Sequence, residues 1–266
     1  MEENLKDKQT SEETTIISAS QNITLSDALA GVFSEPGVTF SEVKASSKST
    51  YWVWLIIILA VITALASFIV LHDEELSSEI KKMQIEAMKE RLDEAVKNGS
   101  ISREQAEEQL ESTKKMFGGG MFTVIGIAGG FFSVFIFFFL KALVYWGVLK
   151  IFKGSCTYVN ILNVLGLASI ISTVQMIINT VLAIFTGRLF INIGLVLIFT
   201  EEQLGKNMFK FIANFDLINL WYLAVIAIGF AKVSSLKSSV TFPVVYGLWI
   251  IWILLTSFVT SSFFGM

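Results

Sequence analysis

The chain is 266 residues long, 53% hydrophobic and 13% aromatic, with 23 Phe, 2 Pro and a formal net charge of -3; its mean hydropathy is +0.66. Such a composition excludes an ordinary water-soluble domain and makes the lipid bilayer the expected solvent. The small net charge and scattered basic residues exclude a nucleic-acid-binding surface, for which a basic patch interleaved with aromatics is needed. One cysteine, Cys156, rules out an internal disulfide, and one histidine, His72, rules out a multi-histidine metal site or a catalytic set using two imidazoles.

Residues 1–23 are polar and rich in Glu, Lys, Ser and Thr, too poor in apolar surface to offset the entropy of ordering them, and a disordered tail is expected there. From Thr24 onward Leu25, Ala28, Leu29, Val32 and Phe33 recur at helical spacing. Thr24 and Asp27 supply a start, and Pro36-Gly37 a stop. The pattern predicts a short amphipathic helix, continued by Phe40 and Val43. Two placements suit it: in the headgroup region, or packed on a helix bundle.

Five segments approach the length an α-helix needs to cross a hydrocarbon layer of about 30 Å: residues 51–71, 121–140, 161–185, 211–231 and 242–264. Aromatic rings mark their edges at Tyr51, Trp52, Trp54, Tyr145, Trp146, Phe263 and Phe264. The first is longer and later than the core of a secretory signal, so the Ala64-Leu65-Ala66 triplet is read as part of a retained anchor, not a cleavage site. The run 188–199 is too short to cross alone; interfacial, re-entrant and spanning placements all stay open. The fold expected is all-α and polytopic, with residues 24–266 forming one membrane domain.

Lysines alternate between the connections: Lys44 and Lys48 before the first span, Lys141, Lys150 and Lys153 after the second, Lys232 and Lys237 between the fourth and fifth. Basic residues are retained on the cytoplasmic side, which predicts an inside N terminus and an outside C terminus. Between the first two spans, residues 73–117 carry twelve acidic and eight basic side chains and cannot lie in hydrocarbon. Leu76, Ile80, Met83 and Ala87 share a helical face, flanked by close charge pairs Glu79/Lys82, Glu86/Lys89 and Asp93/Lys97. Asn98-Gly99 then breaks the helix, and Ser102 and Gln105 form a capping-box pattern. An outer helical hairpin is predicted.

No pattern for chemistry stands out. Gly118-Gly119-Gly120 and Gly129-Gly130 lack the Lys-Ser/Thr of a phosphate-binding loop. Gly126 and Gly130, four apart, offer a smooth face for another helix, within the bundle or in a dimer. Among intramembrane polar residues, Asp216 and Asn219 share a helix face, as do Gln175 and Asn179. Asp216 reads either as a first-turn acid at a helix start or as part of an ion or substrate site. No catalytic residue, metal ligand or cofactor is implied.

Three stretches carry a family likeness: residues 27–40 (Asp27-Ala28-Leu29-Ala30-Gly31-Val32-Phe33-Ser34-Glu35-Pro36-Gly37-Val38-Thr39-Phe40), Lys153-Gly154-Ser155-Cys156-Thr157-Tyr158, and the run from Phe215-Asp216-Leu217 through Trp221-Tyr222 to Ile228-Gly229. In this order, among five spans, they resemble the bacterial branch of the Yip-one family, membrane proteins of the Ypt-GTPase-interacting type. The resemblance implies a five-helix membrane domain with a cytoplasmic N terminus and supplies no catalytic residue. Eukaryotic relatives are associated with vesicle traffic and small GTPases. Their Asp-Leu-Tyr-Gly-Pro-type element is not found here, so GTPase binding is not implied. The expectation is a non-enzymatic protein of a bacterial inner membrane that contacts the lipid bilayer and acts in membrane organisation or in contacts with its own copies or other membrane proteins. The alternative is a small transporter or channel with a polar path near Asp216, Asn219, Gln175 and Asn179.

Overall fold

The computed structural model describes residues 23–46, 50–187, 189, 194, 198–199 and 201–259. The expected tail over residues 1–22, the closing rings Phe263 and Phe264, and most of the run 188–199 lie outside the described residues.

Helix α1 (Leu25–Ser34) starts as expected, with the Thr24 hydroxyl accepting from the Asp27 backbone N–H. Pro36-Gly37 does not leave an extended exit. Glu35 alone breaks the helix, and Pro36 opens α2 (Pro36–Ala45) at a first-turn position, where a missing N–H costs nothing. The two helices close on each other so tightly at Gly31 that any side chain there would meet the Thr39 hydroxyl. Ala28, Val32, Phe40 and Val43 are buried in the main core, so of the two placements open to this segment the helix pair takes the packed one.

Five long apolar helices follow: α3 (Tyr51–His72), α6 (Gly120–Ile151), α7 (Tyr158–Thr186), α10 (Leu217–Ser234) and α11 (Ser238–Leu254), the last continued by a π-helical turn Leu255–Val259. The chain is an all-α polytopic membrane protein with five candidate membrane-spanning helices. Burial sorts them. Within the most apolar window, 61% of α7 and 50% of α10 is buried, against 17% of α3 and 6% of α6. Helices α7 and α10 therefore form the centre, and α3 and α6 present Ile57, Ile58, Phe132, Ile136 and Phe137 outward, where lipid is the solvent.

Glycines set the closest approaches. A Cβ at Gly166 of α7 would fall 2.6 Å from the Trp52 Cα, so only hydrogen fits where α3 crosses. Gly126 and Gly130 of α6 both face α3: an added Cβ would lie 2.7 Å from a Leu71 methyl and 3.0 Å from the Ser67 hydroxyl.

Several helix limits differ from those expected; α11, for one, begins at Ser238 and not at Phe242. Helix α6 continues past Leu140 for eleven residues, because Ala142, Tyr145 and Leu149 are buried in the core and give the extension a surface to cover. Helix α7 begins at Tyr158, not Ile161, since the Thr157 side chain caps it by accepting from the Asn160 N–H. The fourth long helix begins at Leu217, not Phe211; residues from Glu201–Leu204 (α8) and Lys206–Ala213 (α9) form separate short helices, and Asp216 interrupts the run.

The excursion after α3 is the expected hairpin, α4 (Glu74–Lys97) and α5 (Arg103–Gly118). The turn uses Gly99 at φ +74, a left-handed conformation that suits glycine. Ser102 and Gln105 exchange both capping-box bonds, at 2.9 and 3.2 Å. Among the described residues the hairpin's ion pairs are Arg103–Glu107 and Lys114–Glu111, and not the three pairs expected on α4. Lys82, Glu86, Lys89, Asp93 and Lys97 are exposed, where an ion pair gains little, and Glu79 accepts instead from the Leu189 N–H. Leu76 and Leu92 are buried, whereas Met83 is exposed.

Candidate functional site

Three places concentrate the polar groups: a cleft between α3 and α7, the turn entering α10, and the junction where α1–α2 meets the ends of the long helices.

The cleft has a volume of about 340 Å³ and is lined by Val70, Ser172, Gln175, Met176, Asn179, Thr180 and Ala183. Its floor follows from helical spacing, since Ser172, Gln175 and Asn179 lie three and four residues apart on one side of α7. The Thr180 hydroxyl donates to the Met176 carbonyl at 2.8 Å, and the Thr63 hydroxyl of α3 donates to the Met176 side-chain Sδ at 3.5 Å. The Gln175 side chain has no hydrogen-bond partner among the described residues.

Asp216 sits at the head of α10 and is 2% exposed. Its Oδ1 accepts from the N–H groups of Ile218 and Asn219, at 2.8 and 3.1 Å, which satisfies two of the four backbone donors left open at any helix start. The Asn219 amide donates to the Asn214 carbonyl, 3.2 Å away. Asp216 Oδ2 is buried without a partner among the described residues. Gly194 pairs antiparallel with Asp216, and a Cβ on Gly194 would fall 2.6 Å from the Phe215 carbonyl oxygen. The four intramembrane polar residues singled out from the sequence thus fall into two groups. Gln175 and Asn179 line the cleft; Asp216 and Asn219 build the turn into α10 and do not line it.

At the junction, the Lys44 ammonium donates to the Lys232 carbonyl at 3.1 Å and to the Ser235 hydroxyl at 2.9 Å, tying α2 to the end of α10. The Tyr51 hydroxyl donates to the Ile23 carbonyl at 2.6 Å. The Phe40 ring fills the space left by Gly229, where a Cβ would come within 2.6 Å of Val164 and 3.0 Å of that ring. Nearby, the Ser155 N–H donates to the Ser234 carbonyl at 2.9 Å. Cys156 is buried in the same loop; burial pushes its thiol above the usual range, and Lys150 and Lys44 pull it partly back. Sequence reading missed this junction because its partners are far apart in the chain, 188 residues in the case of Lys44 and Lys232. His72, at the other end of α3, bonds through Nδ1 to the Phe68 carbonyl of its own helix at 2.8 Å.

The second half of α1, all of α2, the long helices and the hairpin fall within a single stretch that matches the Yip1 domain, residues 30–259. The chain belongs to the Yip1 family. Among curated proteins this Yip1 chain is similar to Membrane protein YknW of Bacillus subtilis (strain 168), 24% identical over 254 residues that cover 94% of this chain and 98% of that protein. No solved structure matches it. The Yip1 match opens inside α1 and closes at the end of the π turn, so the docked helix pair and the hairpin are parts of the family unit.

Proposed function

We propose that this Yip1-family protein resides in a bacterial cytoplasmic membrane with its N terminus inside and its C terminus outside, and that it acts without catalysis, by binding other proteins or its own copies and so organising the membrane around it. The observation that carries this reading is a pair of helical elements at opposite ends of the bundle, a hairpin that extends from one and a helix pair docked at the other. On the outer side, Asp73 both ends α3 and caps α4 by accepting from the Leu76 N–H at 2.9 Å, so the hairpin continues from a membrane helix with one residue between them. The Leu189 N–H donates to Glu79 and Gly187 abuts the Glu75 carboxylate, which brace the arm a second time. A helix of 24 residues reaches about 36 Å. On the inner side, the clamped α1–α2 pair turns Phe33, Val38 and a row of Ser, Asp and Glu side chains outward.

The orientation rests on the lysines: Lys44, Lys150, Lys153, Lys232 and Lys237 flank the helix ends beside α1–α2, while the opposite end bears the charged arm. The absence of catalysis is supported by the work the candidate reactive groups already do. Asp216 caps a helix, His72 bonds its own backbone and Cys156 is packed in a loop. The division of Gln175 and Asn179 from Asp216 and Asn219 weighs against a continuous polar path.

A photoreactive amino acid placed at Met83 on the arm, or at Val38 on α2, tests the reading in native membranes. Discrete protein adducts are expected at one or both positions. Labelling confined to lipid and water at both would overturn it.

A further inference from the structure

The cleft between α3 and α7 holds a side chain that a lipid cannot satisfy. Trp52 opens α3 and lies against Gly166, which puts that level of α7 at the inner edge of the hydrocarbon, where aromatic rings collect. Nine residues further along α7 is Gln175, about 14 Å deeper on a helix rising 1.5 Å per residue and so close to the middle of a layer about 30 Å thick. Thr63 of α3 meets Met176 at the same depth. There, a primary amide shares its cleft with Val70, Ser172, Met176, Asn179, Thr180 and Ala183 and opens toward hydrocarbon tails, and an amide left without a partner in such a medium is costly. Its cleft is flanked by outward Val174, Ile177, Val181 and Ile184 on α7, apolar side chains that can interdigitate with those of a facing helix.

We infer that two copies of this chain associate side by side across the α3–α7 cleft, with Gln175 of each copy hydrogen-bonded to its counterpart. This specifies the self-association included in the proposed function and rests on that reading. The argument for a second copy as the occupant is symmetry joined to chemistry. Two copies inserted with the same topology can be related by a two-fold axis only if that axis runs along the membrane normal, so a residue near the axis meets itself at its own depth. A carboxylate or an ammonium meeting its own copy is repelled. An amide carries two N–H donors and a carbonyl acceptor, and a pair of amides satisfies both partners. Ser172, on the same side one turn closer to the inner edge, is small enough to let the two α7 helices approach. A hydrocarbon tail in the same space would leave Gln175 unsatisfied.

The test uses the full chain in native membranes with Cys156→Ala and a single new cysteine. Ser172→Cys lies in the cleft, and Ile136→Cys lies on the lipid-facing side of α6, where the native side chain is 65% exposed. Treatment with a membrane-permeant oxidant or a short thiol crosslinker is expected to give a band of twice the chain mass for Ser172→Cys and little for Ile136→Cys. Adding Gln175→Leu, which suits hydrocarbon and leaves the protein level in the membrane unchanged, is expected to lower the dimer equilibrium roughly threefold to tenfold, the size of one interhelical polar contact. Equal yields at the two positions, no dimer at either, an adduct of another mass at Ser172→Cys, or indifference to Gln175→Leu would each overturn the inference. If the protein adducts at Met83 or Val38 persist in that event, the interaction reading stands and only this interface is lost.

Discussion

Replacing Phe40 with alanine should release the N-terminal helix pair while leaving the five long helices in place. Phe40 is fully buried between Val164 and Gly229, and truncating a buried Phe to Ala costs about 3–5 kcal/mol through lost transfer energy and the remaining cavity. The pair is also held by the buried side chains Ala28, Val32 and Val43, by the partly buried Leu25 and Leu29, by the Phe33 ring against Trp221, and by the bonds from Lys44 and Tyr51. The lower figure, about 3 kcal/mol, corresponds to a rise of about a hundredfold in the equilibrium for local opening. Hydrogen–deuterium exchange of the purified protein in nanodiscs reads this directly. Amides of residues 37–45 should exchange about a hundredfold faster, those of α7 and α10 should hold near their native rates, and Val38→Ala, at a site 52% exposed, should change little. Exchange in α2 within threefold of native, or an equal acceleration in α10, would refute the docking argument.

Other substitutions test the remaining joints. Gly166→Ala puts a methyl 2.6 Å from the Trp52 Cα and should lower the thermal unfolding midpoint in detergent more than Gly147→Ala, at a glycine with nothing within 4 Å. Ser102→Ala removes one half of the capping box and should cost about 1 kcal/mol, seen as faster exchange confined to the first turn of α5. Asp216→Ala frees the Ile218 and Asn219 N–H groups and should destabilise the start of α10 by about 1–2 kcal/mol, whereas Asp216→Asn keeps an oxygen acceptor and should stay close to native, as measured by unfolding of the two variants side by side. An equal loss with Asn and with Ala would show that the charge on Asp216, and not its capping oxygen, is what the fold needs.

Much of this architecture is written locally. The lengths of the apolar runs fix which helices suit a bilayer, because every backbone polar group there must be satisfied within its own helix. Thr24 and Ser102 announce their helix starts through side-chain oxygens that bond backbone N–H groups three residues on, and Gly99 ends α4 where a left-handed residue is required. Gly126 and Gly130 mark a close-packing face from their spacing alone, but the sequence leaves open whether the opposing helix belongs to the same chain. Only the packed bundle assigns that face to α3.

What lay beyond the sequence depends on partners distant along the chain. Pro36-Gly37 is compatible with a stop or with a new first turn; burial of Phe40 against Gly229 selects the second. A lysine at position 141 suggests a membrane edge, yet α6 runs on because that ammonium reaches the Tyr222 hydroxyl at 3.3 Å and the following turns cover a core made by other helices. Helical spacing puts Asp216 beside Asn219 and Gln175 beside Asn179, but cannot say how two helices are turned relative to each other. Sequence period fixes the angle between residues on one helix, whereas the rotation and tilt of separate helices come from the sum of many packing contacts among side chains tens to hundreds of positions apart. For that reason the spans, caps and breaks were legible in the chain, while the docked helix pair, the cleft and the separation of the polar residues were decided by tertiary packing.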